Sequence, residues 1–243
     1  MKIQILSDTH KNKYILDPEA DVIVHAGDFG NGFYEMQRFA DLCKEQGKEY
    51  VAVLGNHDYY SHDIYQVFGY LNKNKHLNIL THNKTITIKG YTFVGGTLFT
   101  NFRHNSVTDL LEYEKNKQLA ASNIYDFIAI RSGAGFVTPD EYHYLFKKTL
   151  KNIMKHKNKE KVVVVTHFPP SLSCIAPQYL GNALNPYFIN DIDVSGFTTW
   201  ISGHTHTAVD TVENGCRLLV NPLGYPHEHG SNGFNPNLII DLP

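Results

Sequence analysis

Apolar, mostly β-branched residues fall in short runs along this chain, and those at 3–6, 22–24, 51–54 and 162–165 lack the alternation of a half-exposed strand. Such runs predict strands buried on both faces, the kind found in the parallel sheets of an α/β domain. Further strands are expected at 85–88, 91–94, 199–202, 209–212, 217–220 and 238–240, with hairpins around Lys89-Gly90 and Asn214-Gly215. Helical stretches intervene at 34–45, 62–71 and 139–156. The last opens on Thr138-Pro139-Asp140-Glu141, an N-cap followed by proline at the first helical position and acids in the first turn. Its other end is rich in lysine, which complements the helix dipole. Residues 98–137 and 171–195 carry weak periodicity and are expected to be loops or insertions over a site. No linker-like Gly/Ser/Pro tract divides the chain, so a single domain spanning 1–243 is expected.

The chemistry collects where the apolar strands end. Residues 3–6 lead into Ser7-Asp8-Thr9-His10, and 22–24 into His25-Ala26-Gly27-Asp28. Residues 51–54 lead into Gly55-Asn56-His57-Asp58, 162–165 into Thr166-His167, and 199–202 into Gly203-His204-Thr205-His206. Loops converge beyond the carboxyl ends of strands in α/β sheets while the strands themselves stay rigid, so five polar clusters at one structural position point to one site. On extended backbone, Asp-x-His and His-x-His send alternate side chains the same way. Glycines 27, 55 and 203 allow sharp turns and close backbone approach beside them. Carboxylate, imidazole and amide oxygen without thiolate suit Mn, Fe, Zn or Ni better than calcium or a structural zinc finger. The donors are too many for one catalytic ion and fit two ions that share a ligand.

Composition narrows the class further. Lys+Arg number 22 against 24 Asp+Glu, a formal charge of −2, which argues against a long nucleic acid as partner. Three cysteines, Cys43, Cys174 and Cys216, are odd in number and widely spaced, as expected of reduced thiols in the cytoplasm. The amino terminus reaches Asp8 too early for a signal-peptide core, and no run approaches the 18 or so apolar residues of a membrane span.

The ordered set Asp8-x-His10, Gly27-Asp28, Gly55-Asn56-His57-Asp58, His167 and Gly203-His204-x-His206 resembles the calcineurin-like metallophosphoesterase superfamily. All five blocks stand in the family's order, and His25-Ala26-Gly27-Asp28 and Asn221-Pro222-x-Gly224-Tyr225 are similar to its small, stand-alone bacterial and phage members. The resemblance implies a four-layer α/β/β/α sandwich with mixed β-sheets. It assigns Asp8, His10, Asp28 and His206 to one metal, and Asp28, Asn56, His167 and His204 to a second, with Asp28 as the bridge. Two divalent ions are implied, Mn²⁺ first among them. Their charge outweighs the two aspartates and a bridging hydroxide, which would attack a phosphodiester or phosphomonoester in line. His57 would face the phosphate and protonate the leaving group. Asp58 is a catalytic candidate that would orient His57 or cap the following turn.

Two departures from relatives stand out. Asn31 occupies the position where the family's protein phosphatases carry an aspartate paired with the catalytic histidine, and Phe168 follows His167 where some relatives have a second histidine. Arg103, with Asn101 and His104, is a candidate contact to substrate phosphate, as are Asn182 and Asn185. His25 is expected to support the site rather than bind metal, and His227-x-His229 to lie at a pocket edge or on the surface. Other metallohydrolases fit less well: Ala208 breaks the His-x-His-x-Asp of metallo-β-lactamases, and Asp8-x-His10 stands where an amidohydrolase has His-x-His. A non-catalytic metal-binding scaffold with the same fold is the alternative to an enzyme, and a small phosphate ester is the expected substrate.

Overall fold

The uninterrupted valine and isoleucine runs become buried strands of two sheets in a computed structural model that describes residues 1–103 and 109–242. The strands are β1 (Lys2–Leu6), β2 (Val22–His25), β3 (Glu49–Ala52), β4 (Thr85–Ile88), β5 (Tyr91–Gly96), β6 (Arg131–Ser132), β7 (Gly135–Phe136), β8 (Val162–Thr166), β9 (Thr199–Ser202), β10 (Val209–Glu213), β11 (Cys216–Val220) and β12 (Ile239–Asp241). The helices are α1 (Phe33–Glu45), α2 (Ile64–Lys73), α3 (Leu110–Asn123), α4 (Asp126–Ala129), α5 (Pro139–Met154) and α6 (Asn185–Phe188).

One sheet has the order β12-β1-β2-β3, with β1, β2 and β3 parallel and β12 antiparallel at the edge. The other runs β10-β11-β9-β8-β5-β4, parallel from β11 to β5, with antiparallel β10 and β4 outside. The edge hairpins turn at Lys89-Gly90 and Asn214-Gly215, where both residues of each pair have positive φ, as a two-residue type I′ turn requires.

Alternate residues of both sheets meet in the middle. Ile3, Ile5, Val22, Val24 and Val51 of one pack with Phe93, Val163, Val165, Ile201 and Leu219 of the other. Each such side chain contributes roughly 1.5–3 kcal/mol by leaving water. The opposite faces meet helices: Ile23 and Ala52 join Met36, Phe39 and Cys43 of α1, while Val162, Val164 and Trp200 join Tyr142, Leu145 and Phe146 of α5. This is the α/β/β/α sandwich that the resemblance implies. The Thr138–Glu141 capping box starts α5 as its sequence predicts, with Glu141 N donating to Thr138 Oγ1 at 3.2 Å.

Residues 98–137 take the form of an insertion with its own elements. They hold helices α3 and α4 and the β6–β7 hairpin. Only Lys117 and Ala120 of α3 are buried, so the helix shows no apolar stripe to read. Residues 171–195 likewise contain 3₁₀ turns at Leu172–Cys174 and Pro177–Tyr179 before α6. Both segments contribute walls to the cavity described below.

Candidate metal centre

The carboxyl ends of β1, β2 and β3 face those of β8 and β9, and their loops are laced together by backbone. Asp8 N donates to Gly27 O at 2.9 Å, His10 N to Asp28 O at 3.0 Å, and Gly203 N to His167 O at 3.0 Å. The turns are tight: a Cβ on Gly55 would sit 2.0 Å from Asp28 Oδ1, and one on Gly27 would sit 2.7 Å from His167 Nδ1. The expected convergence is present, but its backbone is not extended. Asp8, His10, Asp28, His204 and His206 have φ of 50°, 44°, 58°, 72° and 48°. Left-handed turns beyond the strand ends aim these side chains, at about 1–3 kcal/mol each, a strain typical of functional sites.

Ligand atoms of Asp8, His10, Asp28 and His206 all lie within 4.8 Å of one another. His10 Nε2 is 3.0 Å from His206 Nε2, and His206 Nε2 is 3.4 Å from Asp8 Oδ1. Asp28 Oδ1 accepts the His57 backbone N–H at 2.9 Å, which leaves Oδ2 facing His10 at 3.7 Å and His167 at 3.5 Å. Asn56 Oδ1 is 3.1 Å from His167 Nε2.

Three details test whether these residues suit cations. His167 Nδ1 lies 2.8 Å from the Ala26 carbonyl, which can only accept, so Nδ1 carries a proton. Neutral His167 therefore aims its Nε2 lone pair at two acceptors, Asn56 Oδ1 and Asp28 Oδ2, a repulsive contact unless a proton or cation lies between them. His206 repeats the arrangement, with Nδ1 on Glu228 Oε2 at 2.7 Å and Nε2 turned to the cluster. Finally, His204 Nε2 is buried without a hydrogen-bond partner. An orphan imidazole nitrogen beside convergent acceptors fits a metal site.

The electrostatics agree. Burial opposes charge on His167 and His206, but the Asp28, Asp8 and Glu228 carboxylates outweigh it and raise both to about 9. Burial also opposes ionisation of Asp28, yet the surrounding histidines hold it well below the usual carboxylate range. Burial pushes His10 down to about 4 and, with the His167 charge, drives His204 well below its ordinary value. Without metal, protons on His167 and His206 thus stand where cations would.

Raised histidine pKa values stabilise the folded chain fully below the unfolded value near 6.5, and that stability is lost as pH rises through 9. Thermal unfolding of the chelated protein is expected to show a Tm that falls on the order of 5–10 °C between pH 6.5 and 9.5. Saturating metal should remove the slope. A flat profile for the chelated protein would contradict the protonated pair.

Other expected residues have distinct places. Asp58 is buried and both its oxygens face backbone: Asp28 N at 3.0 Å, Gly55 N at 2.8 Å and Gly30 N at 3.2 Å. It joins the β2 and β3 loops rather than orienting the His57 ring. Asn31 is exposed. The hydroxyl near His57 Nε2 is that of Tyr225, at 3.3 Å. His25 contacts Thr9 Oγ1 and Gly27 N and stacks on Phe29, supporting the loop, while His227 and His229 are exposed. Phe168 is fully buried and stacks on His204 with ring centroids 4.0 Å apart. The Arg103 guanidinium lies 4.6 Å from the centre of the Tyr113 ring, and His104 falls outside the described residues. Asn101 Oδ1 accepts the Arg103 N–H, and Asn182 and Asn185 line the cavity.

Sequence reading misses the residues that hold the ligands in place. Buried Asp126 accepts from Asn56 Nδ2 at 3.0 Å, Tyr60 at 2.8 Å, Tyr142 at 2.7 Å and Tyr187. By taking the amide nitrogen, it turns Asn56 Oδ1 toward His167. Glu228 accepts from His206 Nδ1 and from Tyr225 N at 2.7 Å. Its position within His227-x-His229 is the signal that could have drawn notice.

No curated protein sequence matches this chain. Among solved structures it is similar to the phosphopantetheinyl hydrolase of Mycobacterium tuberculosis, with TM-score 0.70 and 16% identity over 93% of this chain and 90% of that one. A dimetal phosphatase of Danio rerio matches with TM-score 0.49 and 10% identity, over 94% of this chain and 90% of that one. At these identities the first likeness speaks for the fold alone. The family model described as calcineurin-like phosphoesterase matches residues 1–208, a span that contains every expected ligand. With its donors gathered at the strand ends and most of its length matched, the chain belongs to the calcineurin-like phosphoesterase family.

Proposed function

We propose that this protein is a dinuclear metal-dependent phosphoesterase that hydrolyses small phosphodiesters, phosphomonoesters or both. The observation that carries the reading is the grouping around Asp28, whose Oδ2 lies 3.7 Å from His10 Nε2 and 3.5 Å from His167 Nε2. Asp8, His10, Asp28 and His206 would hold one ion, and Asp28, Asn56, His167 and His204 the other. Two bound divalent ions, with Mn²⁺ favoured and Fe, Zn or Ni also suited, supply Lewis-acid polarisation and an activated water.

The chain's own groups do the rest. Asp58 pins the Asp28 loop to the β3 loop, and Asp126 fixes the Asn56 amide. His57 lines the cavity with its Nε2 4.0 Å from Asp28 Oδ2, and in this reading it gives a proton to the departing oxygen. Three buried free thiols support a reducing, cytoplasmic setting. Among the described residues, no helix is long and apolar enough to cross a membrane.

A chromogenic phosphodiester and its matching monoester, offered to chelated protein reloaded with Mn²⁺, test the reading. Metal-dependent turnover is expected, and the diester-to-monoester ratio assigns the preference. Silence on both substrates, with two ions verified as bound, overturns it in favour of a scaffold.

A further inference from the structure

A cavity of about 470 Å³ opens from the metal centre, and its apolar walls are unlike a polyanion site. They are built from Tyr60, Ile124, Ile175, Leu184, Tyr187 and Phe188. Among the described residues lining it there is no lysine or arginine. The Tyr60 and Tyr187 hydroxyls donate to Asp126, so these rings are held in place and offer the cavity carbon rather than hydrogen-bond donors. The polar lining beyond the ligand cluster comprises the neutral Asn182, Asn185, Thr205 and Tyr179, together with the Asp126 carboxylate.

We propose, building on the phosphoesterase reading, that the substrate carries one phosphoryl group and an uncharged, largely apolar leaving group of aromatic-ring size or larger. A phosphate held at the metal centre would direct its ester substituent along these walls, where a ring gains apolar burial and contact with fixed aromatic edges. A second phosphate would lie in the same low-dielectric space beside Asp126. It would find none of the arginine or lysine donors that such groups need there. Nucleoside diphosphates and triphosphates, whose extra phosphates have no partner, are therefore disfavoured. The neutral amides accommodate a few polar atoms without asking for charge.

The test uses the full-length, metal-loaded protein and two non-hydrolysable probes with the same head, phenylphosphonate and methylphosphonate, titrated by calorimetry beside pyrophosphate. Phenylphosphonate is expected to bind about 10–100-fold more tightly than methylphosphonate, as burial of a ring predicts, with pyrophosphate gaining nothing from its second phosphate. Leu184→Lys, checked for an unchanged melt, should shrink the phenyl advantage and improve pyrophosphate; Ile175→Lys serves as the second variant. Turnover of phenyl phosphate and glycerol phosphate is measured on the same preparation. Equal affinity for the two phosphonates overturns the apolar leaving-group site, while metal-dependent turnover of both esters leaves the phosphoesterase reading standing. No turnover of any ester with both ions bound removes that reading, and the substrate proposal with it.

Discussion

Asp28→Ala is expected to leave the protein without either metal ion, and turnover should fall to background with it. The reason is geometric. One carboxylate oxygen, Oδ1, is tied to the His57 backbone, and the other lies within 3.7 Å of His10 and 3.5 Å of His167, histidines of the two ligand sets proposed above. Removing it takes a negative charge from both sets at once, whereas loss of any other single ligand touches one. Asp28→Asn keeps the shape and can still accept the His57 N–H, so it separates charge from folding. Metal content by elemental analysis should drop from about two ions per chain to near zero in both variants, with the far-UV spectrum retained. The Asn variant should also lower the His167 pKa from about 9, because the Asp28 charge is the main influence raising it against burial. Near-normal metal content in Asp28→Asn would remove the bridging role.

Much of this site is legible in the amino-acid order alone, because its signals are local. Strands buried on both faces announce themselves as unbroken apolar runs, and the ligands follow directly at their ends, as in Leu6 to Asp8 or Val165 to His167. What the spacing does not disclose is how convergence is achieved. Asp8, His10, His204 and His206 are spaced like alternating strand residues, yet all four are left-handed. Strand alternation and a left-handed turn can bring the same pair to one volume, and a one-dimensional pattern cannot separate them.

The supporting groups are illegible for a different reason. Asp126 collects donors from Asn56, Tyr60, Tyr142 and Tyr187, four positions brought together only by the tertiary fold. Helix α3, just before it in sequence, buries too little apolar surface to leave a periodic trace. Glu228 looks like a spacer between two histidines, but both histidines are exposed and the glutamate is the residue bonded to the site. Asp58 shows the converse case. Its adjacency to His57 suggests a partnership in catalysis, while the 3₁₀ turn at His57–Tyr59 sends the two side chains to different sites. Neighbours in sequence share a function only where the backbone lets them share a direction.

His57→Ala should retain both ions yet slow turnover by about 10²–10⁴-fold on an ester with a poor leaving group. His57 sits at the boundary between the ligand cluster and the cavity, edge-on to His10 with ring centroids 4.8 Å apart and 4.3 Å from the Tyr60 ring. It is partly exposed, unlike His167, so its ring can meet a substrate. Its imidazole is not one of the assigned ligands, and the backbone N–H that holds Asp28 survives the substitution. Metal stoichiometry is therefore the internal control. A proton donor matters in proportion to the basicity of the group it serves, so the defect should be largest for an alkyl ester and small for a nitrophenyl ester. Tyr225→Phe removes the hydroxyl 3.3 Å from His57 Nε2 and should produce a milder defect with the same leaving-group dependence. An equal slowdown of alkyl and nitrophenyl esters in His57→Ala would mean that the ring stabilises the phosphoryl charge instead of protonating the leaving oxygen. Undiminished turnover of the alkyl ester would exclude His57 from the chemistry altogether.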